Sequence, residues 1–172
     1  MNNRMKKIGL FYSPDTVKTR QVGERIIKAL GDAGVSAVSV KDATQEDFEK
    51  YDNIIAGAST WFDGELPVYW DEVLPEIESA NLKNKKVAIF GLGDQLGYPD
   101  NFADGVGLLA DIFIKAGAVV VGSTSTEGYK FEHSQAVKDG RFIGLVIDVE
   151  NQSKLTDERI KSWVNQLKKE FD

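Results

Sequence analysis

The chain has 172 residues, of which 42% are hydrophobic and none is cysteine, and its formal net charge at pH 7 is -6. This length favours one domain over two, so we expect residues 1–172 to form a single unit, and the missing cysteines exclude disulfides and thiol redox chemistry. The negative charge disfavours nucleic acid and anionic membrane surfaces, and no run approaches the roughly 18 apolar residues of a membrane span, which predicts a cytoplasmic protein.

Short apolar runs alternate with helical patterns along the chain, without a linker or a repeat. The strand candidates are rich in β-branched or aromatic residues. In chain order they are 8–12, 35–40, 54–58, 87–90 and a last strand that begins at Val119 and resumes over 142–147. The helical segments have apolar stripes, and the stripe on the last helix includes Trp163, which we interpret as a core residue. This alternation predicts an α/β fold around a parallel sheet.

Five β/α units in a chain of this length are typical of a doubly wound, three-layered fold with a five-stranded parallel sheet in the order 2-1-3-4-5. The sequence pattern does not itself determine that order. In such a sheet, ligands bind beyond the carboxyl ends of the strands, near the first and third strands. The loops at 12–20, 58–65 and 91–102 are therefore the candidates for a binding site.

The first of these loops leads directly into a helix. Backbone N–H groups and the positive end of the helix dipole attract a phosphate, and hydroxyl groups add donors without adding charge. The same residue types also occur in ordinary helix-capping turns, so this loop alone leaves both interpretations open. The candidate residues are Ser13, Asp15, Thr16, Val17, Lys18 and Thr19.

Each of the other two loops has a large aromatic residue, Trp61 or Tyr98, where periodicity predicts no burial. Two aromatic side chains at neighbouring strand ends can enclose a flat ring, because offset stacking favours planar partners and excludes water. A single loop aromatic is more often a packing residue, but two of them beside a phosphate-type loop favour an aromatic nucleotide. The candidate residues are Ser59, Thr60, Trp61, Phe62, Asp63, Gly64, Gly91, Leu92, Gly93, Asp94, Tyr98, Asn101 and Phe102.

Three motifs stand at or near strand ends. They are Thr60-Trp61-x-x-Gly64-Glu65, then Gly91-Leu92-Gly93-Asp94-Gln95-x-Gly97-Tyr98-Pro99-x-Asn101, and then Gly144-Leu145-x-Ile147-Asp148-x-x-Asn151-Gln152. Together they resemble the long-chain type of flavodoxin. The segment 123–141 resembles the insertion that interrupts the fifth strand in that branch.

The resemblance implies a low-potential one-electron carrier that binds flavin mononucleotide (FMN), and not an enzyme. It implies that Trp61 and Tyr98 enclose the isoalloxazine ring, that Asp94 and Asn101 lie at its pyrimidine edge, and that Glu150 lies near its dimethylbenzene side. It also implies a monomer whose partners are a reductase and electron acceptors, and the acidic charge favours basic partner surfaces. Acidic residues near the ring should disfavour added negative charge. These are Asp63, Glu65, Asp94, Asp100 and Asp104.

Two features depart from the family pattern. In the first loop, Pro14 offers no hydroxyl and no N–H, and Val17 replaces a glycine of the family pattern. Because Ser13 and Lys18 lie nearby, we still expect FMN to bind, with an altered loop path. In the second loop, the resemblance implies that the peptide after Phe62 turns over on flavin reduction. Aspartate at the next position tolerates a positive φ less readily than glycine, so we expect a narrower gap between the two one-electron potentials.

Alternative functions remain open beside the carrier. A flavin-dependent NAD(P)H or quinone reductase on the same fold needs room for a second substrate, which Trp61 and Tyr98 would restrict. A flavodoxin-like module with weakened or lost FMN binding has only the altered first loop in its favour. A phosphate-receiver domain needs an acidic residue at the end of the third strand, and a nicotinamide dinucleotide fold needs a G-x-G-x-x-G run after the first strand; both are missing. The single histidine, His133, gives little support to a hydrolytic triad.

Overall fold

The computed structural model describes residues 6–31 and 34–171 of the chain. A parallel sheet in the order β2-β1-β3-β4-β5 lies at its centre. These strands are β1 Ile8–Tyr12, β2 Val35–Ser39, β3 Asn53–Ser59, β4 Lys86–Leu92 and β5 Val119–Val121. The predicted doubly wound α/β fold and its strand order are confirmed.

Helices cover both faces of the sheet and give the fold three layers. Within the described residues they are α1 Val17–Leu30, α2 Gln45–Lys50, α3 Val68–Ser79, α4 Asp104–Lys115 and α5 Thr156–Glu170. Successive strand residues face opposite sides, so Leu10 joins a core with α1 and α5, whereas Phe11 joins a core with α2, α3 and α4. Trp163 lies in the first of these cores, as its position on an apolar stripe predicts. No described helix has the length and apolar character needed to cross a membrane.

The fifth strand position is divided between two segments, as predicted. The strand β5 pairs with residues 86–88 of β4, and β8, Leu145–Ile147, pairs with residues 90–92. The connection between them contains a hairpin of β6, Val137–Lys138, and β7, Arg141–Phe142. The predicted resumption of the strand at Phe142 is wrong. The backbone of Phe142 pairs instead with Thr124 and Val137, and its ring packs against Tyr129.

The parallel order brings the carboxyl ends of β1, β3, β4 and β8 to one edge of the sheet. Helix α4 packs closely over two of these strand ends, and Gly91 makes that approach possible. A Cβ atom on Gly91 would lie 2.4 Å from Val106 Cγ2 and 2.6 Å from the Ala58 carbonyl oxygen. The loops after β3 and β4 are therefore held side by side at this edge.

Candidate functional site

A cleft of about 460 Å³ opens at the carboxyl edge of the sheet, between the start of α1 and the loops that follow β3 and β4. Fourteen of the residues predicted from the sequence line this cleft. They are Asp15, Thr16, Val17, Lys18, Thr19, Ser59, Thr60, Trp61, Phe62, Leu92, Gly93, Asp94, Tyr98 and Asn101.

The other predicted residues lie outside the cleft lining, and they are Ser13, Asp63, Gly64, Gly91 and Phe102. Gly91 faces helix α4, as described above. The ring of Phe102 is buried and stacks on Phe131 of the insertion, with a distance of 5.2 Å between ring centroids. Gly91 and Phe102 therefore pack the elements behind the cleft, because each faces a neighbouring element and not the opening.

Two residues that line the cleft, Ala103 and Val149, were not predicted, and a third, Glu150, was expected there only from the family resemblance. The last two follow β8, and the rule that ligands bind beyond strand carboxyl ends could have indicated that loop. For Glu150, the family resemblance had indicated a place near the site. Ala103 has a φ of 54° at the start of α4, and an alanine gives no sequence signal for that conformation.

The start of α1 presents several hydrogen-bond donors to the cleft. The N–H groups of the first helical turn, Val17 to Thr19, have no preceding carbonyl to bond, and this turn contains no acidic side chain. The hydroxyl groups of Ser13 and Thr19 are buried and lack a hydrogen-bond partner within the described part of the chain. Because unpaired buried hydroxyls cost free energy, a polar ligand bound at this helix start would stabilise both groups.

Two ion pairs flank this loop. Lys18 pairs with Glu150, which lines the other side of the cleft, and Asp15 pairs with Lys41. From the sequence, the Lys18 ammonium group was expected to supply positive charge to a ligand. In the structure it already forms an ion pair with the Glu150 carboxylate. Attraction of an anion to this loop therefore depends mainly on the helix N–H groups and the hydroxyls.

Trp61 and Tyr98 form the aromatic part of the cleft lining. The Trp61 ring is half-buried and stands edge-on to Tyr69, at a centroid distance of 5.9 Å and an interplanar angle of 89°. The Tyr69 hydroxyl lies 3.4 Å from Thr16 Oγ1, and burial raises the pKa of Tyr69. Tyr98 is 54% exposed. One fixed ring and one accessible ring suit a planar aromatic ligand.

Asp94 organises the loop that carries Tyr98. Its carboxylate accepts hydrogen bonds from the N–H of Gly97 at 2.8 Å, the N–H of Leu96 at 3.2 Å and Asn151 Nδ2 at 2.7 Å. The bond from Gly97, followed by the bond from Asn151, lowers the pKa of Asp94. The Tyr98 N–H donates to the Asp94 carbonyl at 2.9 Å. An ionised Asp94 therefore fixes the turn that places Tyr98 at the cleft.

A buried polar pair behind this loop joins three segments of the chain. The carboxylate of Asp148 accepts hydrogen bonds from Gln95 Nε2 at 2.8 Å, the Gln95 N–H at 3.1 Å and the Asn151 N–H at 3.0 Å. The Gln95 side-chain oxygen accepts the N–H of Lys130, in the insertion, at 2.6 Å. The third loop, the end of β8 and the insertion therefore form one hydrogen-bonded unit.

Of the five acidic residues expected near the ring, Asp94 lines the cleft, whereas Asp63, Glu65, Asp100 and Asp104 do not. Asp104 has a different role. It is buried at the start of α4 and accepts hydrogen bonds from the Gln135 N–H at 2.7 Å and from Gln135 Nε2 at 3.2 Å. Its hydrogen bonds fasten the insertion to α4, and its Oδ2 also lies beside Gly64 of the second loop, where a Cβ atom would be 2.5 Å away.

Comparison with known proteins identifies the family. Residues 10–163 match the family model for flavodoxin. The chain is 47% identical over 169 residues to the flavodoxin of Trichodesmium erythraeum, covering 97% of this chain and 99% of that relative. The chain belongs to the flavodoxin family. Flavodoxins are electron-transfer proteins that act with redox partner proteins, so the chain is a carrier and not an enzyme.

Other flavodoxins extend this similarity. The flavodoxin of Haemophilus influenzae is 42% identical over 164 residues, which cover 95% of this chain and 94% of the relative. The crystal structure of Fusobacterium nucleatum flavodoxin bound to flavin mononucleotide superimposes with a TM-score of 0.91 at 36% identity, covering 98% of this chain and all 100% of that one. The resemblance carried by three sequence motifs is thus confirmed over nearly the whole chain.

Proposed function

We propose that this protein carries single electrons at low potential on one FMN molecule held in the cleft. The observation that carries the proposal is the presence, in one cleft, of two aromatic rings and of a helix N-terminus with unsatisfied donors. The F. nucleatum flavodoxin, which has the same fold at a TM-score of 0.91, binds FMN. FMN supplies the redox chemistry when it is bound, and the surrounding residues position it and tune its potential.

The residues present fit the two ends of FMN. The buried hydroxyls of Ser13 and Thr19 and the first N–H groups of α1 are suited to a phosphate dianion. Trp61 and Tyr98 would cover the isoalloxazine ring and exclude water from it. Loop backbone around Gly93 and Asp94 would reach the pyrimidine edge. We extend the proposal to the remaining predicted residues, Asp63, Gly64, Gly91 and Phe102, as the support for these loops.

The surface around the cleft supports docking of basic redox partners. Phe62, Leu96 and Tyr98 are exposed by 75%, 71% and 54%, so apolar side chains surround the opening of the cleft. The chain carries a net charge of -6, which attracts basic surfaces before contact. We also propose that the protein is a single domain and acts as a monomer. The two cores that share one sheet support a single domain. The cytoplasmic location stays a prediction from the sequence.

Stepwise reduction of the FMN-loaded protein tests the carrier function. We expect anaerobic titration with dithionite to show two separate one-electron steps, and no steady NAD(P)H oxidation without an added reductase. Steady NAD(P)H oxidation by the purified protein alone would support the reductase alternative and contradict the carrier.

Comparison of FMN with riboflavin tests the phosphate position. We expect flavin-free protein to bind FMN more tightly than riboflavin, and Thr19→Val to weaken FMN binding roughly tenfold while riboflavin binding stays unchanged. Equal affinity for the two flavins would exclude a phosphate contact at the start of α1.

A further inference from the structure

The insertion between β5 and β8 forms a second cavity with helix α5. This cavity has a volume of about 250 Å³, and none of its lining residues lines the cleft. One wall is a single face of α5, since Arg159, Ser162, Trp163 and Gln166 have helical spacing. Arg141, from the hairpin of the insertion, also lines the cavity. The proposed electron carrier has no need of this cavity.

The arginines that line this cavity differ from the other described arginines in having no carboxylate partner. Among the described residues, Arg20 pairs with Glu24 and Arg25 pairs with Asp157. Arg141 and Arg159 have no carboxylate oxygen within 4.0 Å in that same part of the chain, and both line the cavity. In a chain with a net charge of -6, the arginines of the described residues that have no carboxylate partner thus lie at one place.

Both guanidinium groups are held in position and still have donors to offer. The guanidinium carbon of Arg159 lies 4.0 Å from the centroid of the Tyr129 ring, and Nη1 donates to Gln152 Oε1 at 2.8 Å. Arg141 donates from Nε to Ser123 Oγ at 3.4 Å and from Nη2 to the Ser123 carbonyl at 3.3 Å. A guanidinium group has five N–H donors, so each arginine has several donors that are not yet hydrogen-bonded. The planar arrangement of these donors suits an oxyanion.

We propose that this cavity binds a small oxyanion of the phosphate or sulfate class between Arg141 and Arg159. The lining contains these two cations and one carboxylate, that of Glu127, so its charge is opposite to that of the whole chain. Glu127 opposes anion binding and limits the affinity. The insertion would then have a ligand-binding role of its own.

Nuclear magnetic resonance of the FMN-loaded protein provides the test. The chain has three tryptophans, and the indole N–H of Trp163, which lines the cavity, donates to the Gly122 carbonyl at 2.8 Å. On titration with inorganic phosphate at constant ionic strength, we expect a saturable shift of the Trp163 indole signal, with little change for Trp61 and Trp70. Chloride at the same ionic strength should give no saturable shift. A Trp163 signal that behaves alike in phosphate and chloride overturns the proposal.

Four variants sharpen the test. Arg141→Gln and Arg159→Gln should each weaken phosphate binding roughly tenfold, and Glu127→Gln should strengthen it. Arg25→Gln is the matched control, because it removes the same charge from the basic groove that also contains Lys28 and Lys168. If Arg25→Gln weakens binding as much as Arg141→Gln, the anion responds only to overall charge and the proposal fails. Arg141→Gln is the main variant, because Arg159 also packs on Tyr129 and its replacement removes that contact as well. Unchanged visible flavin bands confirm that each variant is folded.

Methyl phosphate identifies the source of the oxyanion. Binding of methyl phosphate with an affinity similar to that of inorganic phosphate indicates a phosphate monoester as the ligand, and binding of inorganic phosphate alone indicates the free ion. Either result supports the site. If neither ligand binds, the proposal is contradicted.

Discussion

A single carboxylate, that of Asp94, holds the turn that carries Tyr98. Its hydrogen bonds to two backbone N–H groups and to Asn151 favour the ionised form, because a protonated carboxyl group accepts them less well. One exposed ring of the cleft is therefore positioned by a group whose charge depends on pH.

Replacement of Asp94 should destabilise the protein in a pH-dependent way. The pKa of Asp94 is lowered in the folded state, so its contribution to the free energy of unfolding is complete above the unfolded-state pKa of about 3.9 and is lost as the pH falls through the lower folded value. We expect Asp94→Ala to lower the free energy of unfolding by about 1 kcal/mol at pH 7, and this difference to shrink below about pH 4. Urea unfolding of the flavin-free proteins at pH 7, 5 and 3 measures it. A difference that is as large at pH 3 as at pH 7 would be inconsistent with this role.

The loop after β3 contains a second residue with a predicted effect on redox behaviour. Phe62 has a positive φ of 47°, whereas Asp63 is not among the described non-glycine residues with positive φ. If the peptide between them turns over on reduction, Asp63 must enter that region at a cost of about 1 kcal/mol, which is roughly 40 mV in the first one-electron step. We expect Asp63→Gly to raise the first potential, to leave the second unchanged and so to widen the gap between them. Spectroelectrochemistry measures both, and an unchanged gap would refute the effect.

The site could be predicted from the sequence where residue type alone determines chemistry. Hydroxyls before a helix and aromatic residues after strands identified most of the cleft lining. The pairing of Lys18 with Glu150 could not be predicted, because the two residues are 132 positions apart and meet only when β8 takes its place in the sheet. The left-handed backbone of Ala103 likewise depends on its surroundings, since alanine has no preference for it.

Among the structural elements, the third loop and the insertion depend on each other through Gln95 and Asp148. Both side chains are buried, and Asp148 accepts bonds from two different segments. Removal of this carboxylate would leave two buried donors of Gln95, its backbone N–H and its side-chain Nε2, without an acceptor.

Asp148→Ala should therefore lower the free energy of unfolding by about 2 to 4 kcal/mol. Asp157→Ala is the control, because the Asp157 side chain is 86% exposed and makes an ion pair with Arg25, so its loss should cost no more than about 1 kcal/mol. Urea unfolding of both variants in the FMN-free form gives the comparison. Equal losses would mean that the buried bonds contribute no more than a surface pair.

The strand positions could be predicted because runs such as Ile8–Tyr12 are buried on both faces and apolar throughout. The ends of a strand were less predictable where backbone pairing, and not composition, determines the residue at which the strand begins. Phe142 is as apolar as its neighbours in β8, but hydrogen bonds to Thr124 place it in the insertion. The division of the fifth strand thus followed from the sequence, and the residue at which it resumes did not.

For the molecule as a whole, net charge governs encounters with partners. A chain with a charge of -6 attracts basic surfaces over about one Debye length, which is roughly 10 Å at 0.1 M salt. We propose that the exposed apolar side chains around the cleft then contact the partner at short range.

Electron transfer from the reduced protein to a basic haem protein should therefore slow severalfold as the ionic strength rises from about 0.01 to 0.15 M. An acidic haem protein of similar potential is the matched acceptor, and its rate should rise or stay constant. Stopped-flow absorbance measures both rates. The same salt response for both acceptors would exclude electrostatic steering.

The proposed electron carrier depends on FMN bound in the cleft lined by Trp61 and Tyr98. Titration of the flavin-free protein with FMN, followed by visible absorbance of the flavin and by tryptophan fluorescence, tests this binding. We predict saturation at one FMN per chain, shifted flavin bands and quenched fluorescence, with the quenching reduced in Trp61→Phe. Flavin bands that remain those of free FMN at saturating concentration would contradict the claim.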